Sequence, residues 1–417
     1  MKVSLKYGRS AIEVEVPDKN LNAVLLPNEG EKVFDESDEI KRALSNPIGS
    51  KRLSEIVKDR ENAVVVVSDI TRPVPSSLLL PPLIDELVTG GLDEKAITIL
   101  FALGSHRKQS DEEKRKLIGD EIFKRLKSID HDVNDCIHIG RTSRGTDLEI
   151  FRPVVEADLK VLTGAIDVHY FAGYTGGLKS ILPGVSSMKT IEANHQMLLM
   201  EDARAGNIDG PIRKDIEEAG AILGVDFILN VVLNSRKEIV KAVAGDPIKA
   251  HREGVKIVDQ MYKVPLQPSE IVLASAGGFP KDLNLYQAHK ALENASNAVK
   301  SGGTLILLAE CLEGFANAEF ERWIREADIP RDLLERLACD FKIGGHKAAC
   351  IARFLERGEV VLVSAMDEKD VRRAFMIPAK SVEEALDYAF SKHGKDASIT
   401  VIPYAGSTLP IVIGDMK

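Results

Sequence analysis

The strongest constraint on this chain is an alternation. Short, uninterrupted β-branched runs are each followed by a polar loop and then by a helical stretch. The run Ala63-Val64-Val65-Val66-Val67 has no polar face, as expected of a strand buried on both sides of a sheet. It leads into Ser68-Asp69-Ile70-Thr71-Arg72-Pro73 and a helical segment that stops at Gly90-Gly91. A strand over 96–102 ends at Gly104-Ser105-His106-Arg107, and Ser110 with Glu113 forms a capping box that opens the next helix. A third strand, 160–166, runs into the most glycine-rich stretch of the chain. Such repetition implies right-handed crossovers and a mostly parallel sheet. Ligands of these sheets bind outside the carboxyl ends of the strands, so the loops 69–72, 104–107 and 167–184 are expected to converge.

Residues 225–232 and 238–244 read as an antiparallel pair, followed by a helix over 247–262. Val264-Pro265-Leu266-Gln267-Pro268 is predicted to be a linker, because two prolines interrupt helix and sheet alike. The alternation then restarts with a strand at 271–275, Gly277-Gly278, a helix over 284–300 and a strand at 304–309. A strand at 359–364, a helix over 381–393 and a strand at 398–403 close it. The first residues read as a β-hairpin turning at Tyr7-Gly8-Arg9-Ser10. The expected fold class is α/β, with two domains, each a mostly parallel sheet flanked by helices, and an active site in the cleft between them. The expected division is 1–265, carrying cofactor and catalytic histidines, and 266–417, carrying substrate-binding residues, with the last strand a candidate for return to the first domain.

Composition removes several function classes. There are 55 basic against 64 acidic residues, a net charge of −9, which disfavours nonspecific nucleic-acid binding. An aromatic fraction of 5% leaves little for base stacking. No apolar run reaches the roughly 18 residues of a membrane span, and the alternating start MKVSLKYGRSAIEVEV reads as strand and not as a signal peptide. The four cysteines show no CxxC pairing, which fits reduced thiols and a cytoplasmic location.

The stretch from Asp167 to Gly184 is the central candidate for chemistry. It holds Gly173, Gly176, Gly177 and Lys179, with His169 ten residues before the lysine and His195 sixteen after it. Glycine permits positive φ and close approach of backbone amides to a ligand. A phosphate-binding P-loop would need a lysine directly after the last glycine, and Leu178 intervenes. An ordinary tight loop explains the glycines but not the lysine and histidines. His106 and His169 both follow strand ends, where imidazole suits acid–base work near neutral pH. His195 shares a helix face with Glu192 and is open as an imidazole ligand to a borderline metal. Asp69 could cap a helix, while Arg72 beside a strand end suits a phosphate or carboxylate. Gln287 and Lys290 lie three apart on one helix, beside Tyr286, and could offer an amide and an ammonium to a small carboxylate.

Together these residues are similar to the nickel-pincer lactate racemase family over most of the chain. The motifs that carry the likeness are Asp69-Ile-Thr-Arg-Pro-Val-Pro75, Gly104-Ser-His-Arg107, the run from His169 to Gly184, His195, and Asn284-Leu-Tyr-Gln-Ala-His-Lys290. The resemblance implies a racemase or epimerase of 2-hydroxy acids, a class from lactate and malate to aromatic and aldonic acids. It implies nickel held in a nickel-pincer nucleotide (pyridinium-3-thioamide-5-thiocarboxylic acid mononucleotide). Lys179 matches the lysine that bears this group covalently, and so joins His195 in the nickel site. His106 and His169 match the residues that exchange the substrate hydroxyl proton, while the cofactor takes up and returns the α-hydride. Arg72, Tyr286, Gln287 and Lys290 match substrate-binding positions. Asp69, Thr71, Arg72, Gly173, Gly176 and Gly177 fall where the family supports the cofactor. Cofactor-maturation enzymes and a 2-hydroxy acid are the implied partners, and a homodimer stands beside the monomer as an expectation. One departure is Val168, where many members have a proline, read as the mark of a subgroup with another substrate. Two other classes stay open on the residues alone: a phosphate-ligand enzyme that uses the glycine loop without a covalent group, and a noncatalytic hydroxy acid binder.

Overall fold

The computed structural model describes residues 1–413. They fall into two compact units, one of Glu29–Met261 and one that combines Met1–Asn28 with the chain from Tyr262 onward. The chain opens with the hairpin β1 (Lys2–Tyr7) and β2 (Ser10–Glu15), in which Tyr7 pairs with Ser10 across a two-residue turn. Strand β3 (Leu21–Val24) follows.

The Glu29–Met261 unit is built on β4 (Ala63–Ser68), β5 (Ile97–Ala102), β6 (Lys127–Asp130), β9 (Leu159–Ile166), β12 (Phe227–Leu233) and β13 (Ile239–Gly245). Their order in the six-stranded sheet is β13-β12-β9-β4-β5-β6. Every pairing is parallel except that of β12 with β13. Between β6 and β9 lies the separate hairpin of β7 (Cys136–Arg141) and β8 (Asp147–Phe151). The helix Ser76–Thr89 buries Leu79, Leu80, Leu83, Ile84 and Leu87 in the core that also takes Val65, Val67, Ile99 and Phe101. Each such side chain contributes about 1.5–3 kcal/mol of burial. Two residues of β10 (Val168–His169) pair with β11 (Gly173–Tyr174), so the glycine-rich stretch begins as a miniature hairpin. The expected capping box is present, with Ser110 accepting from the Glu113 N–H ahead of the helix Asp111–Ile118.

The other unit holds β14 (Lys263–Leu266), β15 (Ser269–Ser275), β16 (Val299–Leu308), β17 (Glu359–Val363), β18 (Ile377–Ala379), β19 (Ile399–Ile402) and β20 (Leu409–Val412). Its six-stranded sheet runs β18-β17-β16-β15-β19-β3 and is parallel throughout. The α/β class is therefore as read from the sequence.

Three expectations change. Residues 1–28 do not belong with the segment that follows them, because β3 extends the sheet of the later unit beside β19. The proline-containing linker is a strand: Lys263–Leu266 pairs in parallel with Leu409–Val412, where Pro265 is tolerated in a two-stranded ribbon with open edges. The last strand thus stays within its own unit. The helix placed over 284–300 ends at Ala295, and Lys300 already lies in β16.

Candidate active site

Three adjacent parallel strands, β9, β4 and β5, deliver their following loops to one edge of the sheet in the Glu29–Met261 unit. The convergence expected from the sequence is made by specific bonds. The Gly104 N–H donates to the Gly184 carbonyl at 2.9 Å, tying the second loop to the third. The Ile70 N–H donates to Gln109 Oε1 at 3.1 Å, tying the first to the second.

The first loop is organised by Asp69. Its Oδ1 accepts from the Thr71 N–H at 2.9 Å and from Thr71 Oγ1 at 2.6 Å, and its Oδ2 lies against His106 Nδ1. The helix that begins at Ser76 receives no side-chain cap, so capping is not the task of this carboxylate. Asp69 is 2% exposed. Burial alone would push its carboxyl up, but the His106 and Thr71 bonds and the Arg72 charge outweigh it and hold it below the ordinary range. A carboxylate on Nδ1 places the imidazole proton there and leaves Nε2 as the basic nitrogen.

His169 has the opposite tautomer. The Ala172 N–H donates to its Nδ1 at 3.2 Å, so in the neutral ring the proton sits on Nε2. Its ring stacks on Tyr170 at 5.0 Å between centroids and meets Phe171 edge-on at 4.5 Å. Burial, then the charges of Lys179 and Arg72, push its pKa well below the usual histidine value. Lys179 sits in the 3₁₀ turn Gly177–Ser180. Burial first, then Arg72 and Arg213, drive its amine well below the ordinary lysine range. His195 lies on the helix Met188–Gln196, half-buried, with its ring 4.9 Å from that of Phe171. The Val168 N–H donates to Asp167 Oδ1 at 2.7 Å, a bond a proline there could not make.

The glycines serve the fold as well as any ligand. Gly173, Gly176 and Gly177 have φ of +74°, +74° and +57°. A Cβ on Gly173 would stand 2.1 Å from the Asn207 carbonyl oxygen, and one on Gly177 would stand 2.8 Å from the His251 ring. The Gly177 N–H is spent on Asn230 Oδ1 at 2.6 Å. Sequence reasoning passed over the residues that grip this loop, Arg213, Asn230 and His251, and over Gln109, which ties the first loop to the second. A signal existed for two of them. Arg213 lies on the buried face of the helix Pro211–Leu223 with Ile212, Ile216 and Gly220, and Asn230 is the polar residue of an otherwise apolar strand, FILNVVL.

The remaining predicted residues belong to the other unit. Asn284 Oδ1 accepts from the Gln287 N–H at 3.0 Å and caps the helix Leu285–Ala295. Gln287 and Lys290 are exposed on that helix. Tyr286 is half-buried, with the Lys347 ammonium 3.5 Å over its ring and bonded to its carbonyl at 3.0 Å. That contact gives Tyr286 a packing task. The same helix carries His289 and Glu293, which lie with Cys350 within 4.8 Å of one another. Glu293 already pairs with Arg353 at 3.1 Å, burial pushes the Cys350 thiol up, and Lys347 and Arg353 add positive charge. These buried groups read as core, and His195 is not among them.

Two family models match the chain: lactate racemase N-terminal domain over residues 7–207 and lactate racemase C-terminal domain over residues 264–409. A protein named lactate racemase from Thermoanaerobacterium thermosaccharolyticum is 37% identical, with 96% of this chain and 97% of the relative covered. The lactate racemase of Lactiplantibacillus plantarum is 33% identical, with the same coverage, 96% and 97%. The solved lactate racemase apoprotein from Thermoanaerobacterium thermosaccharolyticum superposes with a TM-score of 0.90 at 36% identity, over 99% of this chain and 100% of that one. A Thermotoga maritima structure is similar in fold, with a TM-score of 0.63 at 19% identity over 92% and 99%.

Proposed function

The chain belongs to the lactate racemase family, and from that premise we propose that it racemises a 2-hydroxy acid, lactate or a relative of it, with a nickel-pincer nucleotide tethered to Lys179. The observation that carries the reading is the pair of histidines with opposite tautomers on the loops that follow β5 and β9.

The residues fit the implied group by their donor chemistry. Attachment through a thioamide needs an unprotonated amine, and burial beside two guanidiniums disfavours the ammonium form of Lys179. An imidazole such as His195 suits nickel. The Arg72 guanidinium, whose charge acts on both Lys179 and His169, suits a phosphate or a carboxylate. When bound, the group would supply a hydride acceptor and donor for the substrate α-carbon.

The chain's own residues then handle the proton. The α-proton of a 2-hydroxy acid is a very weak acid, so inversion through a planar keto acid is the accessible route. His106, held by Asp69, accepts the hydroxyl proton at Nε2 as the α-hydride leaves. His169 would return a proton to the keto oxygen from its imidazolium form as the hydride comes back to the opposite face. Burial and the neighbouring charges make that form a strong acid. Loss of its Nε2 proton leaves a neutral ring, and the proton gained by His106 balances the one given up. The opposite enantiomer uses the two rings in reverse. Asp69 keeps His106 in the accepting tautomer and stabilises the imidazolium that forms. In this reading Gln287 and Lys290 bind the carboxylate, maturation enzymes install the cofactor, and the protein works in the cytoplasm.

The test is to mature the protein together with the accessory enzymes, weigh its Lys179 peptide, and assay a panel of chiral 2-hydroxy acids by chiral chromatography. A heavy adduct on Lys179 and loss of optical purity in at least one acid are expected. A fully active preparation with unmodified Lys179 would remove the tethered cofactor from the account.

A further inference from the structure

Four consecutive residues ahead of Lys179 are held by side chains from three separate elements. Arg213, on the helix Pro211–Leu223, bonds the Tyr174 carbonyl and reaches the Gly176 carbonyl at 3.5 Å. His251, on the helix Lys249–Tyr262, donates from Nε2 to the Thr175 carbonyl at 2.8 Å. Asn230 of β12 accepts from the Gly177 N–H at 2.6 Å. The segment so gripped contains the two glycines with positive φ and passes straight into the turn that carries Lys179.

Arg213 is the unusual member. It is 1% exposed, and its Nε has no hydrogen-bond partner. Among the described residues no carboxylate bonds it. Glu217, one turn further along the same helix, is taken by Arg252 at 3.2 Å. The Glu217 charge still acts on Arg213 from a distance, but a buried guanidinium with no carboxylate bonded to it is costly, and an apolar residue of similar volume would fill the space at lower cost. Departures of this kind concentrate where function demands them. Both of its bonds go to the loop that leads to Lys179.

We propose that Arg213 is a positioning residue for Lys179, holding the carbonyls of Tyr174 and Gly176 so that the following turn presents the lysine amine to the cofactor precursor. The inference deepens the proposed function and rests on it for the identity of the incoming group. The grip itself does not depend on that reading.

The experiment compares wild type, Arg213→Met, Arg213→Lys and Asn230→Leu, each purified after expression with the maturation enzymes. Three quantities are measured on the folded fraction: melting temperature, fraction of Lys179 bearing the adduct, and amide hydrogen exchange across residues 174–180 in protein expressed without those enzymes. In Arg213→Met, exchange in that segment should rise about tenfold or more, the effect of losing a hydrogen bond to a charged group, while β4 and β9 amides stay protected. The adduct fraction should fall by a similar factor. Asn230→Leu, which frees the Gly177 amide, should reproduce the pattern, and Arg213→Lys should recover part of it. A general loss of stability would move the melting temperature and all exchange together, and would sink the proposal. So would wild-type loop exchange and adduct fraction in folded Arg213→Met. If Arg213→Met does not fold, Arg213→Lys and Asn230→Leu decide by the same two readouts. If wild type bears no adduct, the cofactor reading falls, and unchanged loop exchange in the variants would separately overturn the grip.

Discussion

His106 Nδ1 and Asp69 Oδ2 are hydrogen-bonded across 37 positions of sequence, each residue standing on the loop after its own parallel strand. The bond fixes the tautomer of a histidine whose side chain is 42% exposed by tying it to a carboxylate that is 3% exposed. Asp69→Asn keeps the shape but removes the preference for the proton on Nδ1. Racemisation should drop by roughly 100-fold, the scale of general acid–base catalysis. Initial rates from each enantiomer will check this, and an unchanged rate would free Asp69 of the role.

The same pair gives a pH dependence of stability. The Asp69 carboxyl is held below its ordinary value. Its contribution is therefore in place above the unfolded value of about 3.9 and is lost as pH falls through the lower folded value. The melting-temperature gap between wild type and Asp69→Asn should be full near neutral pH and close as the solution is acidified through that window. A gap independent of pH would contradict the assignment.

His106→Ala and His169→Ala should each impair both directions, because one ring must accept a proton while the other donates. Folded protein with bound cofactor, checked by melting temperature and mass, is the required control. Full activity of either variant in one direction would break the two-base scheme.

Lys179→Arg and Lys179→Ala should lose activity equally, together with the adduct mass and bound nickel, since a guanidinium cannot serve as the covalent anchor. His195→Ala should weaken nickel retention and leave the organic adduct on Lys179. Metal analysis and mass spectrometry of the same samples separate the two effects.

Lys290→Ala should raise KM or lower kcat/KM for a carboxylate substrate with the Lys179 adduct intact. Removing one charge-assisted bond predicts a loss of roughly tenfold to 100-fold. Unchanged kinetics on every active acid would leave Lys290 as a helix-surface residue.

Gly173→Ala should destabilise the fold by about 2–3 kcal/mol, because it adds a Cβ at positive φ and against a backbone carbonyl. Gly224→Ala is the control: its φ of +75° is strained too, but nothing lies within 4 Å of the added carbon. The difference in melting midpoint between the two isolates the steric part.

The loops that carry chemistry were legible because their signals are local. A β-branched run, a polar turn and a capping box each occupy a few neighbouring residues, and parallel topology then places all three loops on one sheet edge. The candidate residues Asp69, His106, His169 and Lys179 followed from that rule and from the family likeness. What the glycines touch was not legible. Asn207, His251 and Asn230 lie 34 to 74 residues further along the chain from the glycines they meet, and no spacing rule connects them.

The sequence by itself determined the α/β class, the positions of most strands and helices, and the set of residue types available for acid–base work, because periodicity and turn chemistry act over a few residues. Tertiary structure decided which strands pair. It moved β3 into the later unit beside β19, turned the proline-bearing segment Lys263–Leu266 into a strand against Leu409–Val412, and buried Arg213 beneath the Lys179 loop. Each of these joins residues far apart in the chain. Closing a long loop adds a cost that grows only slowly with its length, so the partner is selected by the surface that packing buries and the backbone bonds it satisfies, and neither quantity exists until the chain has folded.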